Sequence, residues 1–222
     1  MERRVIETAD GSKTLFIPEM NEQYHSVNGA KTESEYVFLE KGYRAHSSIS
    51  PTVFEVGFGT GLNALLTLLD SEKEKRKTRY ISIEKYPVNE KEVLALDYGS
   101  AISKDYEKFF VDLHQSPWNT EFDISEYFSL FKIKKDLSNF IFPDDLKIDV
   151  VFFDAFGPDK QPEMWKNDIF LKIFHACNRD AIFVTYSAKG EIRRMLAACG
   201  FSMERLPGPP GKRQMLRGRK FL

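Results

Sequence analysis

The chain has 222 residues, a formal net charge of −1, 42% hydrophobic and 29% charged residues, which fits one large domain or a domain with a small appendage. Its longest apolar run, Leu62 to Leu69, is interrupted by Asn63 and Thr67 and is too short for a bilayer, and the polar N-terminus lacks the apolar core of a signal peptide. Cys177 and Cys199 form no CxxC pair and the four histidines show no ligand spacing, so a cytoplasmic protein with no disulfide framework and no metal is expected.

In chain order, Asp10-Gly11 lies between Val5–Thr8 and Thr14–Ile17, which predicts a hairpin closed by a two-residue type I′ turn. Residues 24–30 read as a loop, and a helix is expected over about 33–41. From Thr52 the rhythm becomes strand and helix in alternation. Strand Val53–Val56 leads into a helix from Leu62 to about Asp70; strand Tyr80–Ile83 ends at Glu84, and Pro87 opens a helix to Leu96. Residues 105–114 read as helix and 128–133 as strand. The apolar run Ile148–Phe153 ends at Asp154, and Pro162 is expected to start a helix reaching about Ala176. Strand 180–186, helix 190–198 and final strands 201–206 and 214–219 complete the pattern, with Pro207-Gly208-Pro209-Pro210-Gly211 as the turn between the last two. His175 reads as a core histidine on an apolar helical face, and the two cysteines as packed small hydrophobes.

This alternation predicts a parallel sheet with right-handed crossovers and a ligand crevice at the carboxyl ends of the strands. The segment Phe54-Glu55-Val56-Gly57-Phe58-Gly59-Thr60-Gly61-Leu62-Asn63 stands on that rim. Gly57, Gly59 and Gly61 permit positive φ and leave the backbone open to a ligand. Glu55 would repel a dinucleotide pyrophosphate and suits the ammonium of S-adenosylmethionine, so methyltransferase is the first reading and dehydrogenase the second. Glu84, with Lys85 beside it, stands where a ribose needs a carboxylate. Asp136 and Leu137 would reach the adenine edge. Asp154 is the candidate catalytic residue, because an amine acceptor must lose a proton before it attacks and a carboxylate can take it.

Phe156, Tyr24 and Tyr186 could stack an unpaired base, while Trp165 reads as core. From Lys189 onward the chain carries nine Lys and Arg against Glu191 and Glu204. Within that stretch, Arg193, Arg194, Lys212 and Arg213 are the candidate contacts to a polyanion.

These blocks resemble the tRNA 5-aminomethyl-2-thiouridine methyltransferases, the methylating half of a bifunctional wobble-uridine modification enzyme. The resemblance extends through Tyr24-His25-Ser26, Glu35–Phe38, the glycine segment, Ile83–Pro87, Phe153–Pro158, Pro162–Trp165, Thr185–Ala188 and Gly211–Leu216. It implies an α/β, Rossmann-like methyltransferase fold that uses S-adenosylmethionine to methylate the exocyclic amine of 5-aminomethyl(-2-thio)uridine in tRNA. Phe58 and Asn63 then join the cofactor site, Tyr24 and Ser26 become cofactor contacts from an N-terminal appendage (1–50) covering a methyltransferase domain (51–222), and Lys160 joins the tRNA-facing set. Asp136 departs from the pattern, following two lysines where a glycine is expected. The chain ends at Leu222, so the flavin-dependent oxidase half is expected to be absent and a separate enzyme to supply the aminomethyl intermediate. An aminopropyltransferase and a non-catalytic RNA-binding module are the alternatives.

Overall fold

The computed structural model describes residues 2–221. Two sheets form. The small one is antiparallel, in the order β1 (Arg4–Glu7), β2 (Lys13–Ile17), β3 (Glu22–Gln23). The hairpin between β1 and β2 differs from expectation. Thr8 N–H donates to Ser12 O at 2.8 Å and only Gly11, at φ 78°, is left-handed, so the loop holds three residues, a turn followed by a glycine bulge. Asp10 lies outside the left-handed region, as that turn requires, and its carboxylate accepts from Ser12 N–H at 3.1 Å and Thr32 N–H at 3.0 Å.

After α1 (Ala30–Ser34) the helix widens into a π turn over Glu35–Glu40. Val37 and Phe38 from that turn, with Leu15 and Tyr43, enter the same buried cluster as the main sheet. The remaining elements are β4 (Thr52–Val56), α2 (Leu62–Glu74), β5 (Thr78–Glu84), α3 (Glu90–Leu96), α4 (Tyr98–Ile102), α5 (Glu107–Gln115), β6 (Glu121–Ser125), β7 (Phe128–Lys134), β8 (Ile148–Phe153), α6 (Asn167–Ala176), β9 (Cys177–Thr185), α7 (Gly190–Cys199), β10 (Ser202–Pro207) and β11 (Gln214–Arg219).

The main sheet has the order β10-β11-β9-β8-β4-β5-β7-β6. Strands β7, β5, β4, β8 and β9 run parallel, while β6, β11 and β10 pair antiparallel at the edges. The chain moves outward from β4 to β5 and β7, then returns to β8 on the other side of β4. That reversal opens a crevice at the carboxyl ends of β4 and β8. Successive residues of the central strands point to opposite faces, and both faces are covered: Val53, Tyr80 and Phe152 enter one core and Phe54, Ile81 and Phe153 the other.

Three further expectations need correction. Pro162 opens only a 3₁₀ turn, Pro162–Met164, and α6 starts afresh at Asn167. The break is held by Trp165, buried, whose indole N–H donates to Phe156 O at 2.7 Å. His175 is exposed on α6, so it is no core histidine. The sheet is mixed, not parallel throughout: β11 and β10 close one edge antiparallel, and β6, which the sequence reading missed, closes the other. Among the described residues no helix is long and apolar enough to cross a membrane.

Candidate active site

One cleft, with an empty volume of about 990 Å³ out to its mouth, opens at the carboxyl ends of β4, β5 and β8. It is lined by Gly57, Phe58, Gly59, Asn63, Glu84, Lys85, Asp136, Leu137, Asp154, Phe156 and Tyr24, so most of the rim residues share a single space.

Gly57 and Gly59 have φ of 91° and 50°. A Cβ on Gly57 would lie 3.0 Å from Asp154 O, and one on Gly59 3.1 Å from the Tyr24 ring, so the close approach of these elements depends on glycine. Phe58 anchors the turn from below, edge-on to Trp118 at 5.9 Å. The buried Lys132 lies 4.8 Å from the Trp118 ring and 5.4 Å from that of Phe58, donating to Leu113 O at 2.7 Å and His114 O at 2.8 Å. Its ammonium thereby caps the carbonyl end of α5, and burial brings its pKa down to about 8. His114 packs over Gly61, and burial holds its imidazole down at about 4. Gly61 therefore opens α2 and does not face the cleft.

Glu84 ends β5 with both carboxylate oxygens oriented: Gly59 N–H donates to Oε2 at 3.1 Å and Tyr86 N–H to Oε1 at 2.7 Å. Each oxygen keeps a further lone pair for a hydroxyl. Asp136 accepts from Lys85 at 2.8 Å and from Ser138 N–H at 2.9 Å. The Lys85 ammonium, with the Ser138 donors, holds its carboxyl down at about 2.

Asp154 follows β8. Its Oδ2 accepts from Asn63 Nδ2 at 2.8 Å, and its carboxyl is pushed well above the ordinary range, first by burial and then by the neighbouring acids, Glu33 ahead of Glu55. Glu55 does not line the cleft. It is fully buried in β4, where Ser82 Oγ donates to Oε2 at 2.7 Å, and burial pushes its carboxyl up to about 8.

On the outer side of Asp154 the rings of Tyr24 and Phe156 meet edge to face at 5.0 Å, and Tyr186 donates to Ala155 O at 2.8 Å. Burial raises the Tyr24 phenol to about 12. Sequence reading missed Glu33, a buried acid on α1 that accepts Ser26 N–H at 2.9 Å and pairs with Lys212. Lys212 is therefore half-buried beside the site and not a free surface cation. No local pattern announces this pair, because its members are 179 residues apart. Ser26 works here through its backbone. Lys160 ties its loop to the turn between β2 and β3 by donating to Met20 O at 2.8 Å. Arg194 and Arg213 are exposed, whereas Arg193 is half-buried. Among the described residues no group of three or more His, Cys, Asp or Glu could hold a metal ion.

A family model described as S-adenosyl-L-methionine-dependent methyltransferase matches residues 100–221. The chain is 29% identical over 212 residues to the tRNA 5-methylaminomethyl-2-thiouridine biosynthesis bifunctional protein MnmC of Hydrogenovibrio crunogenus, covering 88% of this chain and 31% of that protein. To the protein of the same name from Nitrosospira multiformis it is 30% identical over 216 residues, covering 92% and 35%. The chain thus spans about a third of the length of these curated relatives. Among solved structures, MNMC2 from Aquifex aeolicus superposes with a TM-score of 0.79 at 26% identity, over 98% of this chain and 70% of that one. With the strand order, these matches give the Rossmann-like methyltransferase fold expected from the sequence.

Proposed function

The chain belongs to the S-adenosyl-L-methionine-dependent methyltransferases, and we propose that it methylates the exocyclic primary amine of 5-aminomethyl(-2-thio)uridine at the tRNA wobble position, giving 5-methylaminomethyl(-2-thio)uridine. The observation that carries this reading is the position of Asp154, recessed between the glycine turn and a cluster of aromatic rings. The tRNA and its modified base come from the names of the relatives.

The residues present fit S-adenosylmethionine. The turn at Gly57 and Gly59 turns bare backbone to the cleft. Glu84 is pre-oriented to accept the ribose hydroxyls, and Asp136 with the Leu137 amide stands where an adenine edge needs an acceptor and a donor. Bound there, the cofactor supplies an electrophilic methyl carbon activated by its sulfonium.

The protein's own residues prepare the nucleophile. An alkylammonium entering the cleft meets a carboxyl at Asp154 whose pKa is already raised, so its ionised form is a stronger proton acceptor than an ordinary carboxylate. Glu33 adds negative potential on the same side. Asn63 fixes the orientation of Asp154 from behind. Tyr24 and Phe156 offer faces on which a base drawn out of the anticodon loop can stack. In this reading the N-terminal segment covers this side of the site, with Tyr24 lining the cleft and Glu33 held behind it by Ser26 N–H. General-base catalysis of this kind is worth roughly 10²- to 10⁴-fold, and alignment of the two reactants supplies much of the rest.

Labelled S-adenosylmethionine with tRNA bearing the aminomethyl group tests the proposal. Transfer of label to the wobble nucleoside is expected. Transfer only to some other acceptor would remove the substrate and leave the fold and cofactor intact.

A further inference from the structure

Glu55, Asn63 and Asp154 run in sequence from the interior of the sheet to the cleft. Asn63 joins the two acids: its Nδ2 donates to Asp154 Oδ2 at 2.8 Å, and its polar end also acts on Glu55. Behind it, Ser82 Oγ satisfies Glu55 Oε2. What remains is a shortage of donors. Glu55 Oε1 and Asn63 Oδ1 are both buried acceptors without a hydrogen-bond partner, and among the described residues the one unpartnered donor close by is the Tyr80 hydroxyl.

The groups acting on Glu55 are Ser82, Tyr80 and Glu84 from β5 and Asn63 from α2, and Asp154 couples to it from the end of β8. None of them is a cation. An ionised carboxylate at this depth, fully enclosed and unpaired, would carry a large desolvation cost. It would also stand in the field of Asp154, and two carboxylates linked through one amide do not both ionise readily. Of the two, only Asp154 reaches the cleft, where an incoming ammonium can relieve its charge. The deeper acid is therefore the one that keeps a proton, and that proton is a second donor where two orphan acceptors face the single hydroxyl of Tyr80.

We propose that Glu55 is a neutral carboxylic acid in the working protein, a positioning residue that fixes Asn63 and through it Asp154, and not the charged partner of the cofactor's ammonium. Its raised pKa, about 8 through burial, agrees with this state at neutral pH. The part of the inference that concerns Asp154 rests on its role as the acceptor-side base; the protonation state of Glu55 does not.

The test uses Glu55→Gln, which replaces one neutral hydrogen-bonding group by another. Titration calorimetry with S-adenosylmethionine alone should show an affinity within about twofold of the native protein, whereas losing a charged partner would weaken binding by more than about tenfold. Infrared spectra of the unliganded native protein at neutral pH should show a protonated-carboxyl band that shifts on 13C-glutamate labelling and is missing from the variant. In methyl transfer, the acidic limb of the pH profile should keep its midpoint, since no charge has been removed near Asp154. A charged Glu55 predicts that the limb moves to lower pH. A tenfold loss of cofactor affinity, or no glutamate-derived band in the native protein, overturns the proposal. If the variant does not fold, the infrared spectrum of the native protein decides alone. The binding and infrared readings need no tRNA, so they stand apart from any failure of the substrate assignment.

Discussion

Lys212 Nζ sits 3.9 Å from the centroid of the Tyr186 ring while forming an ion pair with Glu33. The contact joins the loop between β10 and β11 to α1, and Tyr36 reinforces it by donating to Pro207 O at 3.1 Å. Two segments at opposite ends of the sequence thus meet beside Asp154. Lys212 opposes the rise in the Asp154 pKa that burial and Glu33 produce.

Replacing Lys212 by Met should keep the stacked stem and remove the charge. The Asp154 carboxyl then rises further, and the acidic limb of the pH–rate profile moves to higher pH. At neutral pH, kcat should fall by roughly tenfold per unit of that movement. A role confined to tRNA phosphates would instead raise KM for tRNA and leave the limb in place.

For Asp154 itself the sign is fixed by the raised pKa. The base form is needed, so activity climbs with pH through a midpoint well above that of an ordinary carboxylate. Asp154→Asn preserves shape and the amide contact but cannot take a proton. We expect kcat to drop by about 10²- to 10⁴-fold, with cofactor affinity retained in calorimetry and the acidic limb due to Asp154 gone.

Much of this site was legible because the parallel strands announce their own ends. Ile148–Phe153 and Gln214–Arg219 have the bounds read from apolar patterning, and the acid after each central strand falls on the rim by topology alone. What escaped lacked such patterning. In β6 only Ile124 is buried, so an edge strand with polar neighbours reads as loop. The turn at Asp10 depends on side-chain acceptors that reach Thr32, and the pairing of Glu33 with Lys212 depends on the whole fold. Glu55 was placed on the right strand, yet which way a residue next to a turn points is settled by the pleat and by packing against Ser82.

Glu84 carries a separate prediction. Both of its oxygens are engaged by backbone amides, so Glu84→Ala removes the ribose acceptor and also frees the Gly59 amide in the turn. Loss of a charged acceptor with two hydrogen bonds should weaken S-adenosylmethionine by roughly 10- to 100-fold. Binding of tRNA, measured without cofactor, should be little changed.

Stability should vary with pH through Glu55. Its folded pKa of about 8 lies above the usual 4.5, so the folded state binds the proton more tightly. That contribution is complete below the usual value and declines as pH rises toward and through the folded one. Thermal melts of Glu55→Gln and native protein should therefore diverge in the variant's favour between about pH 5 and about pH 8, then run parallel. Parallel curves throughout would mean that Glu55 ionises normally in the folded protein.

The exposed arginines make the last prediction. Arg194 and Arg213 face solvent, whereas Arg193 is half-buried with its Nε enclosed and Lys212 is committed to Glu33. Only groups free to displace counterions from phosphate steepen the dependence of binding on salt. Arg194→Ala and Arg213→Ala should each reduce the slope of log K against log salt by about 0.7 to 0.9, with cofactor affinity held. Lys212→Met should leave that slope nearly unchanged. If all three variants lower it equally, the ion pair with Glu33 opens on binding and Lys212 exchanges its carboxylate for a phosphate.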